Sequence, residues 1–359
     1  MFIKDEFYIK AYDKRRLFKN KVIAVTGSNG KTNLCKIIYE ILSKKYRCNS
    51  TLEKTNSIKG IPYCINKIFD LNSDYWIIEV GISSYNEMEF LIDLIKPDIK
   101  IINNLGIAHT KNFKNTNDYH QEKLSMLKNS KKDTIIIIND YCENLKLIKF
   151  NYNIIKVSEF INSINYKFNE TKLVSEIIYN KKIKINYPLL GKHLAETIAT
   201  AICLTLYLGI PLDIIKNTFL NFTGFNNHGN ILKINNNVIF NFSYNANYTS
   251  MYKNLVGFND IQHKKKLIIL GDMLELTDSL NYLYHKQILL LAKQITKNII
   301  IFTESFLKVN KNENYNLISK MNINDAIIEL NKYIDKKNYF IFIQGSNSTN
   351  TIDIVKSIF

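Results

Sequence analysis

Proline is scarce in this chain, with four in 359 residues, and cysteine is scarce too. The five cysteines, Cys35, Cys48, Cys64, Cys142 and Cys203, stand singly. Without a C-x-x-C spacing they indicate neither a zinc site nor a disulfide framework, and they read as small buried hydrophobes. No segment approaches the ~18 consecutive apolar residues of a membrane span. The N-terminal MFIKDEFYIKAYDKRRLF mixes charges with apolar residues where a signal peptide needs an unbroken apolar run. A cytoplasmic chain without a membrane partner is expected. There is no internal repeat and no low-complexity tail.

Acidic residues are also in the minority: 32 against 48 Lys and Arg, for a formal charge of +16. Such a balance suits nucleic acid when the cations cluster. Here they are dispersed amid a general excess of Lys, Asn and Ile, and no nucleic-acid module is recognisable. The reading is a solvated basic surface that suits anionic small molecules, with no specific nucleic-acid partner.

What is present is globular: 46% hydrophobic and 22% charged residues, in a chain long enough for two domains. From residue 21 onward, β-branched runs (KVIAVTG, WIIEV, IKIINN, DTIIIIN) alternate with helical patterns, which predicts βαβ crossovers and a mainly parallel sheet. Residues 152–188 alternate polar and apolar over short stretches, as in KIKINY, and are expected to form an antiparallel add-on. Helical patterns return at 193–208 and 211–222, and the Gly- and Asn-rich FTGFNNHGN reads as a hinge. Beyond it, VIFNFS, KKLIILGD, NIIIFTES and YFIFIQGS are strands separated by helices. The expected architecture is α/β throughout. It has a lead-in at 1–20, a P-loop domain at 21–227 and a smaller Rossmann-like domain at 228–359.

The strongest chemical signal is VIAVTGSNGKT, residues 22–32, a buried strand that runs into Gly27, Ser28, Asn29, Gly30, Lys31 and Thr32 and then a helix. Backbone N–H groups of such a loop wrap a polyphosphate, a lysine adds charge at the terminal phosphates, and a threonine hydroxyl can ligate Mg²⁺. The general G-x-x-x-x-G-K-[ST] pattern is not met, because Val25 occupies its first glycine position.

This loop, Glu79 in IIEVG, KPDIKIINNLGIAHTKNF at 96–113 and the lysine of HQEKLSML at 120–127 together resemble the central domain of the Mur ligase family. LLGKH at 189–193, SYNAN at 243–247, LGDMLEL at 270–276 followed by His285, and IQGSNS at 343–348 are similar to its MurF-type branch, the UDP-N-acetylmuramoyl-tripeptide:D-alanyl-D-alanine ligases. The resemblance runs in order from about residue 20 to the C-terminus.

It implies an ATP-dependent ligase that activates a carboxylate as an acyl phosphate and joins it to an amino acid or small amine. ATP and Mg²⁺ would be the cofactors. Carried over position by position, it implies that the Gly27–Thr32 loop holds the phosphates and that Thr32, Glu79, His109 and Lys123 attend metal. Lys31, His109 and Lys123 would be catalytic. Lys123 matches a lysine that the family carbamylates, which requires a neutral amine. Asn230 and Asn245, in the second domain, would face nucleotide or amine.

Two departures qualify the resemblance. Full-length Mur ligases have an N-terminal domain that grips UDP, and this chain reaches its P-loop after about twenty residues. A carboxylate without UDP is therefore expected, with a separate partner protein as another way to supply substrate recognition. Positions that in the family meet adenine and ribose are Leu194, Thr197, Asn230 and Phe242 here, with Phe242 offering a flat face to any base. The alternative function is a Mur-like protein without catalysis that binds nucleotide or a partner enzyme.

Overall fold

The computed structural model describes residues 5–52, 55–107, 111–149, 151–220, 222, 229–274 and 276–358. The chain forms two compact units: Met1–Asn165, Ile177–Ile185 and Leu194–Asn221 in the first, and Tyr166–Glu176, Asn186–His193 and Phe222–Phe359 in the second.

In the first unit the strands are β1 (Lys21–Thr26), β2 (Cys48–Ser50), β3 (Tyr75–Glu79), β4 (Ile99–Ile102), β5 (Ile135–Ile138) and β6 (Ile155–Lys156). They form one sheet in the order β2-β3-β1-β4-β5-β6, with every pairing parallel. Helices on both faces bury these strands, which is why β1 and β4 read as nearly unbroken apolar runs rather than alternations. The helices are α1 (Glu6–Leu17), α2 (Lys31–Leu42), α3 (Gly60–Lys67), α4 (Glu87–Ile95), α5 (Thr116–Leu124) and the short α6 (Glu143–Lys146) and α7 (Val157–Phe160). They are followed by α8 (Lys192–Tyr207), which opens with two residues of the second unit, and by α9 (Leu212–Leu220).

The chain leaves β1 toward β2 and leaves β4 toward β5. Between β1 and β4 the strand order therefore reverses, and the crevice beyond their carboxyl ends is where open α/β sheets bind ligands.

Residues 5–20 of the lead-in fold as an integral part of this unit. Asp5 caps α1 by accepting the N–H of Tyr8 at 2.8 Å. The Arg15 guanidinium then donates to the carbonyls of Ile95 (2.6 Å), Lys96 (2.8 Å) and Phe18 (3.0 Å), closing the C-terminal end of α4. Phe18 stacks on the buried Trp76 with ring centroids 3.9 Å apart. Sequence pattern hid this helix because its apolar positions are few and do not form a stripe.

Strands β7 (Ile164–Asn169), β8 (Val174–Tyr179) and β9 (Ile183–Tyr187) make a three-stranded sheet whose residues are shared between the two units. The second unit adds β10 (Asn230–Ile234), β11 (Asn237–Phe242), β12 (Lys266–Leu270), β13 (Ile299–Ile301), β14 (Ile318–Ser319) and β15 (Phe340–Gln344), in the order β10-β11-β15-β12-β13-β14. Only β10 runs antiparallel to its neighbour. Helices α10 (Tyr248–Asn259), α11 (Asp278–Ile295), α12 (Glu304–Glu313), α13 (Ile323–Asp335) and α14 (Thr351–Lys356) belong to this unit. The fold is the α/β one expected. All five cysteines are free, four of them buried, and among the described residues no helix is long and apolar enough to cross a membrane.

One buried cation sits in the first sheet itself. Lys100 on β4 is 2% exposed and donates to Ser130 Oγ at 2.9 Å and to the Lys128 carbonyl at 3.4 Å. Burial pushes its ammonium down to about 8. The unfolded chain keeps that proton to higher pH, so the contribution of Lys100 to stability is lowest below pH 8 and rises as pH climbs from about 8 to 10.5. The expected gain is about 1 kcal/mol per pH unit over that window. Urea unfolding at pH 7.5, 8.5 and 9.5 should show it in the parent and not in Lys100→Met; parallel slopes would mean that Lys100 keeps its proton in the folded state.

Candidate active site

At the reversal point, β1 ends in Thr26, whose hydroxyl donates to the Val80 carbonyl at 2.9 Å, and the chain turns at Gly27. Gly30 has φ 72°, a left-handed conformation that glycine adopts without penalty, and a Cβ there would lie 3.1 Å from both Asn103 Nδ2 and Thr197 Oγ1. Helix α2 starts at the next residue with no capping side chain. Its first-turn N–H groups have no intrahelical acceptor, and the helix dipole adds partial positive charge where they point.

Lys31 and Thr32 are the first two residues of that helix. Thr32 Oγ1 donates to Glu79 Oε2 at 2.8 Å, and Asn56 Nδ2 donates to Glu79 Oε1 at 2.6 Å. Glu79 ends β3, is 5% exposed, and has its own N–H held by Thr51 Oγ1 at 3.0 Å. A buried carboxylate with both oxygens fixed is an oriented anion rather than a surface glutamate.

Lys123, on α5, is 1% exposed and has its Nζ 4.8 Å from the centre of the Tyr119 ring. Burial first, and then the positive charge of Lys31, hold its ammonium well below the ordinary lysine range, against the pull of Glu79, Glu122 and Glu87. The structure thus brings Lys31, Thr32, Glu79 and Lys123 into one neighbourhood. His109 lies outside the described residues.

Several residues that the sequence reading gave no role belong to the same neighbourhood. Asn56 orients Glu79, and His120, one helical turn before Lys123, places Nε2 3.1 Å from the Gly106 carbonyl. Glu87 accepts the Ser83 N–H at 2.6 Å and the hydroxyls of Ser83 and Ser84. Amide and hydroxyl side chains such as those of Asn56, Ser83 and Ser84 carry no titration signature, and no sequence motif singled them out.

In the second unit, Asn230 opens β10 in register with Asn241, and Asn245 is exposed between β11 and α10, its Oδ1 accepting the Ala246 N–H at 2.8 Å. Asn247 caps α10, receiving the Ser250 N–H at 2.9 Å. Phe242 is no platform for a base: it is 6% exposed, 5.3 Å from the Phe342 ring, and packed so closely under Gly229 that a Cβ there would lie 2.6 Å from it. Alternation in VIFNFS could not reveal this, because β11 is buried on both faces. Asp272 closes the start of α12, accepting from Thr303 Oγ1 (2.6 Å) and the N–H groups of Ser305 (2.9 Å) and Phe306 (3.2 Å). His285 is fully buried, with Met273 N–H donating to Nε2 at 3.1 Å and Nδ1 2.7 Å from the Asn281 carbonyl, so it carries its proton on Nδ1.

A parallel sheet with a glycine-rich loop at its reversal point, a lysine and threonine opening the next helix and an oriented carboxylate on the adjacent strand defines a P-loop nucleotide-binding protein. Residues 25–205 match the Mur ligase middle domain family. The UDP-N-acetylmuramoyl-tripeptide–D-alanyl-D-alanine ligase of Borreliella burgdorferi is 33% identical over 94% of this chain and 74% of its own. The MurF ligase of Thermotoga maritima, solved with ADP, superposes with a TM-score of 0.86 at 18% identity, over 100% of this chain and 84% of that one. A Mycobacterium tuberculosis folylpolyglutamate synthase, solved with ADP and AMPPCP, gives 0.72 at 12% identity, over 98% of this chain and 94% of that one. The chain belongs to the Mur ligase family, and is an ATP-dependent acid–amino-acid ligase.

Proposed function

We propose that the protein joins a carboxylate lacking a UDP group to an amino acid or small amine, through an acyl phosphate. The observation that carries the ligase chemistry is the convergence of Lys31, Thr32, Glu79 and Lys123 beyond the carboxyl ends of β1 and β3. A protein without turnover has no physical need for a buried lysine beside an oriented buried carboxylate, which favours the enzyme over a purely binding role.

In this reading a carboxylate oxygen attacks the γ-phosphorus of ATP in line and ADP leaves; the amine then attacks the acyl carbon and phosphate leaves. The α2 N-terminus and Lys31 hold the phosphates. Lys31 also meets the charge that spreads over the transferring phosphoryl oxygens. The donor set fits Mg²⁺: the Glu79 carboxylate and Thr32 hydroxyl are hard oxygens. Among the described residues no group of three or more His, Cys, Asp or Glu could hold a metal, so phosphate oxygens and water would complete the shell, as Mg²⁺ prefers. When bound, the ion neutralises charge between carboxylate and phosphate. We assign Lys123, as its carbamate, to a second ion.

The acid is the finer part of the proposal. Its support is a likeness of fold to a folylpolyglutamate synthase that extends over nearly all of both chains. Incubation with ATP, Mg²⁺ and pooled amino acids and carboxylic acids, followed by mass spectrometry for new amides and a phosphate assay, should reveal the pair used. Calorimetry with UDP should show no binding at micromolar affinity; such affinity would point to the nucleotide-sugar substrates named for the curated relatives and would return the acid to that class.

Nucleotide choice gives a further expectation. Thr197 Oγ1 accepts from the buried Asn103 amide at 3.2 Å, and Phe242 is core, so two positions that read a base or ribose in relatives are otherwise engaged. With recognition resting on phosphates, ATP and GTP should support turnover within about tenfold of each other, a gap of ~1.4 kcal/mol. Steady-state kinetics with four nucleoside triphosphates would check this, and a preference for ATP beyond about a thousandfold would show that other residues build a base pocket.

A further inference from the structure

We infer that Asn104 is a positioning residue that shapes the phosphate loop by pairing with it as one amide pairs with another. The inference rests on the Gly27–Thr32 loop being the phosphate site.

The loop after β4 runs beside the loop after β1 and matches it bond for bond. Ser28 N–H donates to the Asn104 carbonyl at 3.0 Å, and the Gly106 N–H donates to Ser28 Oγ at 2.7 Å. Between these, the Asn104 side chain closes a cyclic pair with the Asn29 backbone: Asn29 N–H donates to Oδ1 at 2.8 Å, and Nδ2 donates to the Asn29 carbonyl at 2.7 Å. The same carbonyl accepts from Asn103 Nδ2 at 3.1 Å. Asn103 is fully buried and is itself held by Asn139 Nδ2, 3.3 Å from its Oδ1. Contact is close enough at Gly27 that a Cβ there would lie 3.2 Å from the Asn104 nitrogen.

Two consequences follow for phosphate binding. A carbonyl turned into the cradle would repel phosphate oxygens, and the two side-chain amides hold the Asn29 carbonyl away from it. With the N–H groups of Ser28 and Asn29 both given to Asn104, the anion is received by the N–H groups from Gly30 into the first turn of α2. Asn29 therefore contributes shape rather than a direct phosphate contact, and Asn104 sets that shape without touching the nucleotide.

Amide hydrogen exchange followed by NMR tests this on the unaltered protein, with Mg·ADP as the probe. The Asn29 amide should already be protected without nucleotide and should change by less than about threefold when ADP binds, while Lys31 and Thr32 amides gain about tenfold or more. Asn104→Asp keeps the acceptor for Asn29 N–H but sets a carboxylate oxygen against the Asn29 carbonyl. It should weaken ADP binding and raise KM for ATP by about tenfold or more, with kcat changed far less. A purely structural role would lower Tm and leave ADP affinity of the folded protein unchanged, which overturns the proposal. So does an Asn29 amide that exchanges freely until ADP arrives. Failure of the parent to bind ADP at all would refute the nucleotide site itself, whereas ADP binding with parental affinity by Asn104→Asp refutes only the positioning role.

Discussion

Ligation by the Lys31→Ala and Glu79→Ala variants should fall by roughly 10²-fold or more relative to the parent, the loss expected when a preorganised charge facing a transferring phosphoryl group is removed. The two losses differ in origin. Lys31 is the first residue of α2, where its ammonium adds to the partial charge of the helix terminus, so alanine there should raise KM for ATP as well as lower kcat. Glu79 is fixed by Thr32 at 2.8 Å and Asn56 at 2.6 Å, so its removal leaves two half-buried donors without this acceptor. Glu79→Gln separates charge from packing: it retains the size and one acceptor but loses the anion, and should be impaired nearly as severely as alanine while melting closer to the parent. Phosphate release and amide formation measured together on purified variants provide the check. Full activity in either alanine variant would remove this site from the mechanism.

How far the sequence announced this site depends on the kind of residue. Glycine, lysine and threonine at a strand-to-helix turn have few other reasons to occur in that order, and Gly27–Thr32 forms the turn expected. Glu79 was legible for a related reason: an acid after WII, in a strand with no other charge, ends the strand where the sheet presents its ligand edge. The parallel order of the first sheet followed from apolar runs separated by helical stretches. The asparagines were not legible in the same way. Asn56, Asn103 and Asn104 act through paired hydrogen bonds whose partners lie 23 to 94 positions away in sequence, and a chain rich in Asn gives no local sign of which ones are buried.

The second unit shows the opposite failure. Phe242 was read as exposed to a base because it stands at a position that meets nucleotide in relatives, yet burial of both faces of β11 makes it core. Position in a motif predicts location along the fold; it does not predict which way a side chain is packed once its chemistry has changed. Short strands such as β2, β6 and β14, two or three residues long, were invisible because periodicity needs more residues than they possess.

Lys123→Ala should reduce turnover strongly, with part of the loss restored by added formate or acetate. A lysine 1% exposed cannot remain an ordinary solvated ammonium: burial and the charge of Lys31 both favour the neutral amine, and a neutral amine is what CO₂ requires. In that addition the Nζ lone pair attacks the carbon of CO₂ and one proton leaves, turning a cationic side chain into an anionic one. Glu79, Glu122 and Glu87 act in the other direction, holding a proton on Lys123. The carbamate should therefore form to a greater extent when Mg²⁺ is present to offset those carboxylates than when it is absent. Alanine leaves a space about the size of the lost chain, which a small carboxylate can enter to supply the missing oxygens; an alkylammonium ion of similar size cannot do so and should not rescue. The discriminating measurement is therefore the pair of rescue curves, together with a ¹³C-NMR spectrum of the parent in ¹³C-bicarbonate, where a carbamate resonance should appear and should be absent from Lys123→Ala. Equal activity of parent and variant, with neither acid nor amine having any effect, would reduce Lys123 to a packed core residue and leave the charge of the reacting groups to Lys31 and Glu79 alone.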